Sequence, residues 1–265
     1  MKFFYKTNEN FDKNLYDKAA SKFLNHSNIE LMKLSGTYDI SPVHRPPFDY
    51  YYELIKNNIK PGMKVLELGS GMGRHTRILI ETGASIYVND ISSEALKVCK
   101  RMNPGIHRVI ESSMDDTKLD PNSIDVIVSC GALSYVDPKK LDQEIIRLLR
   151  PNGKIIIIDS LNENPIYKIN RFIRFLLGKR SWNSIRRIPS LQRINLLRGY
   201  FQHSEIKFFG SYLWIILPLK VFLNCDQISK INSNLEKRFK SRRHAFKFVL
   251  IAKQVKPTPK ISPIL

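Results

Sequence analysis

Twelve residues near the end of the first quarter of the chain constrain its fold more than any other stretch. Residues 65–76 read Val-Leu-Glu-Leu-Gly-Ser-Gly-Met-Gly-Arg-His-Thr, so an apolar run containing one acid leads into three glycines at alternate positions. This order predicts a buried parallel strand, a tight turn and the start of a helix. Because glycine has no Cβ, a turn at Gly69, Gly71 and Gly73 predicts a backbone that a nucleotide-like ligand can approach closely.

The spacing of the glycines separates this turn from two other nucleotide-binding turns. A dinucleotide fingerprint that begins at Gly69 needs its third glycine at position 74, and that position is Arg74. No Gly-Lys-Ser or Gly-Lys-Thr follows at the distance that a phosphate-binding loop requires. Both kinds of site are therefore disfavoured, and a glycine-rich turn of some other α/β protein remains the alternative.

The order acid-x-Gly-x-Gly-x-Gly from Glu67 to Gly73 resembles the first motif of the class I S-adenosylmethionine-dependent methyltransferases. The resemblance implies an α/β, Rossmann-like fold with a mostly parallel seven-stranded sheet, and S-adenosyl-L-methionine as the cofactor. It also implies that the backbone of Gly69, Ser70 and Gly71 approaches the methionine part of this cofactor. Glu67 is then expected to fix the cofactor's amino group, directly or through a water molecule.

Later motifs fit the same resemblance, which covers residues 61–160. Asp90 follows a predicted second strand and lies 21 residues after Gly69. One strand-helix-strand unit needs this distance to place an acid beside a bound ribose. The alternative for Asp90 is a turn or N-cap aspartate before a helix that begins at Ser93. Ile91 resembles the apolar residue that packs on the adenine face, with an ordinary core isoleucine as the alternative.

The adenine contact departs from the family pattern. The family usually has Gly-Asp-Ala at this place, with the acid bonded to the adenine amino group, whereas residues 112–116 are Ser-Ser-Met-Asp-Asp. Ser113 occupies the position of the acid, so the resemblance implies an adenine held by Ser113 and by the backbone N–H of Met114. Cys130 opens the loop after the predicted fourth strand, and ligands of open parallel sheets bind beyond such strand ends.

No spacing singles out a catalytic base. Methyl transfer from a sulfonium mainly needs an aligned acceptor, although an oxygen acceptor benefits from a base. Tyr135, in the loop after the fourth strand, has packing as its alternative role. The candidate bases are His44, Tyr135, Asp159 and His203.

Positive charge is concentrated late in the chain. The 265 residues carry a net charge of +19, and residues 161–265 contribute +17 of it. Such a segment attracts phosphate-bearing substrates, anionic lipid surfaces or nucleic acid, unless it is only a solvated basic face. The basic run at residues 237–244 has no RNA-binding signature, so nucleic acid is the least favoured partner.

Two apolar segments lie within the basic region. Residues 165–177 place a cation at every third position among large apolar residues, a pattern typical of a membrane-interface helix or of a helix that covers an amphiphilic substrate. A lid helix packed on the core is the alternative. Residues 212–223 are too short to span a bilayer and suit an interfacial segment or a buried hairpin. Peripheral membrane contact is therefore predicted through residues 165–223, with Arg171, Arg174, Arg186 and Arg187 among the contributing cations.

The composition predicts one enlarged globular domain. Its parts are a helical cap (1–60), the cofactor-binding core (61–160), a basic amphipathic helical insertion (161–200), closing strands (201–254) and a tail (255–265). The three cysteines lack ligand spacing, so neither a disulfide nor a metal is predicted. No signal peptide is recognisable, and a cytoplasmic location is expected, at the inner face of the membrane if the basic region binds lipid.

These observations together predict a class I methyltransferase with a small or lipid-linked, anionic acceptor. The C-terminal third resembles methyltransferases of bacterial surface-polysaccharide pathways, which implies O-methylation of a sugar or similar acceptor in surface-glycan or lipid-linked glycan assembly. A quinone or other lipid precursor is the second hypothesis, and RNA is the third. A catalytically inactive protein that still binds the cofactor is the hypothesis from a different class.

Overall fold

Within the computed structural model, which describes residues 9–24, 40–239 and 241–256, seven strands form one sheet. The strands are β1 (Lys64–Leu68), β2 (Ser85–Asp90), β3 (Arg108–Glu111), β4 (Ile124–Cys130), β5 (Leu149–Ser160), β6 (Phe201–Phe209) and β7 (Lys247–Val255). Their order is β3-β2-β1-β4-β5-β7-β6. The first five run parallel, and β7 runs antiparallel to both β5 and β6. The predicted α/β fold with a mostly parallel seven-stranded sheet is confirmed.

Helices connect and flank these strands. Before and between the parallel strands lie α1 (Glu9–Ser21), α2 (Pro46–Asn58), α3 (Thr76–Ile80), α4 (Ser93–Met102) and α5 (Pro138–Leu148). After β5 and β6 lie α6 (Pro165–Leu176), α7 (Trp182–Arg186), α8 (Leu191–Gly199), α9 (Leu213–Ile216), a 3₁₀ helix (Leu217–Val221) and α10 (Cys225–Arg238). Residues 1–8 and 25–39 of the predicted cap, and residues 257–265 of the predicted tail, lie outside the described residues.

The sheet is covered on both faces, which explains why β5 contains an uninterrupted apolar run. Ile155 and Ile157 pack in one cluster with residues of α5 and α8, whereas Ile156 and Ile158 pack in another with residues of α2 and α4. Successive side chains of a strand point to opposite faces, so a strand buried on both sides needs an apolar residue at every position.

The parallel strands also determine where a site can form. The carboxyl ends of β1, β2 and β4 meet at one edge of the sheet, so the loops that follow Leu68, Asp90 and Cys130 converge there. This convergence depends on the parallel register, in which Leu68 pairs with both Asn89 and Ser129.

Two local predictions are wrong. The helical spacing of Phe11, Leu15, Tyr16 and Ala19 in the sequence predicts that they form the apolar face of α1. The helix instead packs on α4 through Ala20, which is fully buried against Ala95, Val98 and Met102. Of the two alternatives for residues 212–223, an interfacial segment or a buried hairpin, the hairpin is wrong. The segment forms a pair of short helices, in which Leu213 and Ile216 are buried at helical spacing and Pro218 lies in the 3₁₀ helix. No helix of the described ranges is both long and apolar enough to cross a membrane.

Candidate active site

A cavity of about 360 Å³ lies beyond the carboxyl ends of β1, β2 and β4. It is lined by the glycine turn, by the loops after β2, β3 and β4, and by one face of α1. Of the ten predicted site residues, Glu67 and Gly73 lie outside this lining. The eight that the structure brings together around the cavity are Gly69, Ser70, Gly71, Asp90, Ile91, Ser113, Met114 and Cys130.

All three glycines have a left-handed backbone, but the surroundings of each position favour glycine for a different physical reason. A Cβ on Gly69 would lie 2.5 Å from the Cβ of Ala132, so this glycine lets the turn pack against the loop after β4. A Cβ on Gly73 would lie 2.5 Å from Cys99 Sγ, so Gly73 allows close packing against α4 and lies outside the cavity lining. Gly71 has no atom within 4 Å of its would-be Cβ, so its backbone faces open space.

Glu67 is held behind the turn rather than on the cavity wall. The side chain is 2% exposed, and its Oε2 accepts a hydrogen bond of 2.6 Å from Thr76 Oγ1 at the start of α3. Burial raises the pKa of Glu67 to about 7 against the effect of the Thr76 bond, and the charge of Asp90 adds to the rise. A nearby cationic amine would favour the charged form of this carboxyl group.

Asp90 ties the glycine turn to the end of β2. Its Oδ2 accepts the Gly71 N–H at 2.8 Å, and its Oδ1 accepts the Ser92 N–H at 2.9 Å. Ser92 caps α4 by accepting the Ala95 N–H at 3.0 Å, so the alternative of an N-cap role for Asp90 is wrong. Burial raises the pKa of Asp90. A carboxylate offers about four lone-pair sites, more than the backbone N–H groups of Gly71, Ile91 and Ser92 fill, which suits a ligand that donates a hydroxyl hydrogen bond.

Asn89 lines the cavity and was missed by the sequence reasoning. Its Nδ2 donates to the carbonyl oxygen of Ser112 at 2.8 Å, whereas its buried Oδ1 has no hydrogen-bond partner among the described residues. A buried acceptor without a partner costs about 1–3 kcal/mol. The unpaired Asn89 oxygen and the open backbone of Gly71 therefore fit a nucleoside-like cofactor that donates hydrogen bonds. An amide inside an otherwise apolar strand was the available sequence signal.

The remaining predicted residues form less polar parts of the wall. Ile91 is 39% exposed and Met114 is 8% exposed, and both line the cavity. The Ser113 hydroxyl donates to Asp115 within its own loop. Burial raises the pKa of the Cys130 thiol to about 12, so Cys130 is a neutral wall residue and not a nucleophile.

Tyr135 is the one predicted base candidate that lines the cavity. Its hydroxyl lies 2.7 Å from the hydroxyl of Tyr16 in α1, and it accepts a hydrogen bond of 3.2 Å from Arg180 Nη2. The Arg180 guanidinium also lies 5.5 Å from the centre of the Tyr135 ring. Tyr135 therefore joins α1 to the segment after α6 at the edge of the cavity.

The other three base candidates lie outside the cavity lining. Asp159 is buried, and its two oxygens accept the backbone N–H groups of Leu133 and Ser160. The centres of the His44 and Phe246 rings lie 5.3 Å apart, and burial lowers the pKa of His44. His203 pairs with Lys253 of β7, which in turn pairs with Lys154 near the start of the apolar run of β5. His203 therefore lies toward the amino ends of the parallel strands, away from the cavity.

Helix α1 forms a roof over the cavity through Asp12, Lys13 and Tyr16. The Asp12 carboxylate accepts hydrogen bonds from the backbone and the hydroxyl of Ser181, which lies 169 residues later. Asp17 accepts a hydrogen bond of 2.5 Å from the Ser92 hydroxyl, beside Asp90. The roof is therefore attached both to the core and to the segment after α6.

Comparison with known proteins matches residues 66–157 to a family model described as a methyltransferase domain. Demethylmenaquinone methyltransferase of Clavibacter sepedonicus is 27% identical over 154 residues, which cover 55% of this chain and 56% of that protein. The ubiquinone/menaquinone biosynthesis C-methyltransferase UbiE of Wigglesworthia glossinidia brevipalpis is 26% identical over 189 residues, 68% of each chain. The chain thus spans about half the length of the first relative and about two thirds of the second.

A solved structure supports the fold over a longer stretch. Geranyl diphosphate C-methyltransferase from Streptomyces coelicolor A3(2), in complex with Mg²⁺, geranyl-S-thiolodiphosphate and S-adenosyl-L-homocysteine, superposes with a TM-score of 0.57. The match covers 91% of this chain and 98% of that chain at 16% sequence identity. At this level of identity the similarity establishes the fold and leaves the acceptor open.

Proposed function

Since residues 66–157 form a methyltransferase domain of the class I S-adenosylmethionine-dependent family, we propose that this chain transfers the methyl group of S-adenosyl-L-methionine to an acceptor beside Tyr135. The observation that carries the proposal is the cavity wall, where the open backbone of Gly71 adjoins the acceptor oxygens of Asp90 and Asn89. This combination suits a cofactor that is both a nucleoside and an amino acid.

Each part of the cofactor has a proposed partner. Asp90 accepts the ribose hydroxyls with its free lone pairs, and Ile91 packs on the adenine. The backbone N–H of Met114, together with Ser113, binds the adenine edge. Glu67 in its charged form attracts the amino group from behind the turn. The bound cofactor supplies a methyl group on a sulfonium, which is already a good leaving group.

The chain's own contribution to the transfer is alignment and proton handling. The roof formed by α1 excludes water from the cavity and restricts how an acceptor can lie. For an oxygen acceptor, the phenolate form of Tyr135 is the proposed proton acceptor, because the hydrogen bond from the Arg180 cation stabilises the negative charge on its oxygen. A carbon or nitrogen acceptor would use Tyr135 only for orientation.

Calorimetric titration with S-adenosylhomocysteine tests this proposal. Wild type is expected to bind, and Asp90→Ala is expected to bind about 10–100 times more weakly, because hydrogen bonds to a charged group contribute about 1.5–3 kcal/mol. Gly71→Arg should abolish binding by filling the open space. Asp120→Ala, at an exposed aspartate outside the cavity, is the control. Absence of binding by wild type, or equal binding by the two alanine variants, would contradict the proposal.

Two acceptor classes are proposed, each on a separate observation. The two relatives are named for demethylmenaquinone and for quinone biosynthesis, and the solved neighbour holds a prenyl diphosphate analogue, which favours a quinone or other lipid precursor. The net charge of +17 in residues 161–265 favours an anionic, lipid-linked glycan that is O-methylated on a sugar.

Labelled methyl transfer to three acceptor pools distinguishes these classes. A demethylated quinone, a polyprenyl-pyrophosphate-linked sugar and total RNA should be offered in parallel with labelled S-adenosyl-L-methionine. Label in RNA, with a steep dependence of RNA binding on salt, would move RNA to first place. Cofactor binding without transfer to any pool would favour the inactive, cofactor-binding alternative.

We also propose that the enzyme contacts the membrane through α6. Six large apolar side chains on this helix and its end are between 46% and 63% exposed, which is unusual for a monomer surface. This α6 stripe consists of Ile166, Ile169, Phe172, Ile173, Leu176 and Leu177. Exposed Lys168, Arg174 and Lys179 lie beside it, and α6 contains no acidic residue. An apolar stripe bordered by cations suits an anionic lipid surface.

The cations that we propose to face the lipid differ from the set that the sequence predicts. Arg171 lies on the buried side of α6, and Arg187 donates to the carbonyl oxygen of Tyr135, so we leave both out. We therefore expect Lys168→Gln, Arg174→Gln and Lys179→Gln together to weaken sedimentation with anionic vesicles. The matched control neutralises Lys97, Lys100 and Lys118, which are exposed elsewhere. Equal partitioning to neutral and anionic vesicles, or none to either, would remove this contact from the proposal.

A further inference from the structure

Arg171 is a buried cation with neutral partners. It is 8% exposed, and its Nη1 donates to the carbonyl oxygen of Leu161 at 3.0 Å and to Asn162 Oδ1 at 3.1 Å. Its Nη2 is buried and has no hydrogen-bond partner within the described ranges. Burying a charged group without a counter-charge costs several kcal/mol, so a guanidinium in this state is a candidate for binding an anion.

Arg180 is a second cation in the same region, and its partners are also neutral. Its Nη2 donates to the Ser134 hydroxyl at 3.1 Å and to the Tyr135 hydroxyl at 3.2 Å. Neither Arg171 nor Arg180 takes part in any of the ion pairs found among the described residues. Burial, and to a smaller extent the positive charge of Arg180, lowers the pKa of Arg171 to about 10. The two guanidiniums therefore lie close enough to repel each other.

The nearby carboxylates compensate this positive charge only in part. Asp159 interacts electrostatically with both arginines and with Lys247, so three cations share one carboxylate. Both oxygens of Asp159 are already bound to backbone N–H groups, and burial raises its pKa. The Asp12 carboxylate, which also acts on Arg180, is bound to Ser181.

A further unpaired donor lies in the loop between β5 and α6. The Asn164 Oδ1 caps α6 by accepting the Ile166 N–H at 2.9 Å, but its buried Nδ2 has no acceptor within the described part of the chain. This loop also supplies Leu161 and Asn162, the two partners of Arg171. One loop therefore contains an unpaired donor and both hydrogen-bond partners of the buried Arg171.

We propose that Arg171 and Arg180 form an anion-binding site that takes a phosphate or diphosphate group of the acceptor. The position relative to the cavity supports this role, because Arg180 donates a hydrogen bond to the hydroxyl of Tyr135, which lines the cavity. Guanidinium groups bind phosphate oxygens through paired N–H donors, and both arginines have donors to spare. The inference rests on the proposed function, since the site adjoins the wall where an acceptor would lie.

Calorimetric titration of the full chain with inorganic pyrophosphate at fixed salt tests the site. Wild type is expected to bind, and Arg180→Gln and Arg171→Met should each weaken binding at least about tenfold. Arg174→Gln is the matched control, because it removes the same charge from the exposed side of α6. No binding by wild type, or an equal loss in Arg174→Gln, overturns the inference and assigns the effect to the basic surface.

Thermal unfolding separates ligand binding from a purely structural role. Without pyrophosphate, Arg171→Met should unfold at or above the wild-type temperature, because it removes an uncompensated buried charge. With pyrophosphate, the wild type should gain stability and the variant should not. A lower unfolding temperature of the ligand-free variant, with an undiminished gain from pyrophosphate, would show that Arg171 only supports the loop and would overturn its assignment.

Two further titrations assign the anion to the acceptor and keep the two proposals distinguishable. Geranyl diphosphate should bind more tightly than pyrophosphate if the anion is the head group of an amphiphilic acceptor, and equal or weaker binding overturns that assignment. S-Adenosylhomocysteine is titrated separately into the same samples. Failure of S-adenosylhomocysteine alone contradicts the proposed function, whereas failure of pyrophosphate alone contradicts only the anion site.

Discussion

Adding a single methyl group at different glycines of the turn should affect either stability or ligand binding. Gly69→Ala adds a Cβ that would lie 2.5 Å from the Cβ of Ala132, at a φ of +65°. Gly71→Ala adds a Cβ at a φ of +53° that meets no atom within 4 Å. Gly62, at a φ of +85°, is also open but lies outside the cavity lining, so Gly62→Ala is the control for backbone strain alone.

The expected magnitudes follow from these contacts. A left-handed conformation costs an alanine about 1–2 kcal/mol, which is the whole expected loss for Gly62→Ala and Gly71→Ala. Carbon atoms pack at about 3.5–4.0 Å, so Gly69→Ala must push Ala132 away by roughly 1 Å. Overpacking of this kind adds about 1–3 kcal/mol, so Gly69→Ala should lower the free energy of unfolding by about 2–5 kcal/mol. Gly71→Ala instead narrows the open space and should weaken S-adenosylhomocysteine binding at least about tenfold.

Urea unfolding followed by circular dichroism gives the first quantity, and calorimetric titration gives the second. All three variants should be compared at one pH and salt concentration. If Gly69→Ala is no less stable than Gly62→Ala, the loop after β4 yields without cost and the packing argument fails. If Gly71→Ala and Gly62→Ala bind S-adenosylhomocysteine equally, the space at Gly71 is not where the ligand approaches.

Three further results are expected. Because burial raises the pKa of Glu67 to about 7 from 4.5, its contribution to stability is complete below pH 4.5 and is lost as the pH rises through 7. Urea titrations across this range should show a decline of about 3 kcal/mol in wild type that Glu67→Gln lacks. Ala20→Arg should detach α1 and speed the dissociation of S-adenosylhomocysteine in stopped-flow measurements, whereas Ala19→Arg, at an exposed position, should not. With an identified oxygen acceptor, Tyr135→Phe should slow transfer about 100-fold in a steady-state assay, and His203→Gln should leave the rate unchanged.

The central part of the fold was predictable because its signals are local. Helix α4 begins at Ser93, as the sequence predicts. It has a serine cap at Ser92 and an apolar face, and both are visible in a short stretch of sequence. The eight predicted residues on the cavity wall follow the ends of strands, and parallel strand ends converge whatever the loops between them contain.

The roof of the cavity was not predictable, because its contacts connect distant parts of the chain. Tyr16 meets Tyr135, and Asp12 meets Ser181, through polar groups that have no periodic pattern. Helix α1 packs on α4 through Ala20, a small residue, so the buried face of α1 differs from the one that its large apolar residues predict. Likewise, Arg171 and Arg174 look equivalent in a three-residue repeat, and the hydrogen bonds of Arg171 to Leu161 and Asn162, in a preceding loop, distinguish the buried cation from the exposed one.

The position of β7 between β5 and β6 has a consequence for the chain during its synthesis. β6 is translated before β7, yet it pairs with β7 and not with β5. Until residues 247–255 have left the ribosome, β6 therefore has no partner strand, and β5 has a neighbour only on its β4 side. Until then, the apolar run Ile155–Ile158 lies at an open sheet edge, which is a template for pairing with another nascent chain. The interval of translation between residues 160 and 255 is therefore when this edge can pair with another chain, whereas the completed sheet no longer exposes that run.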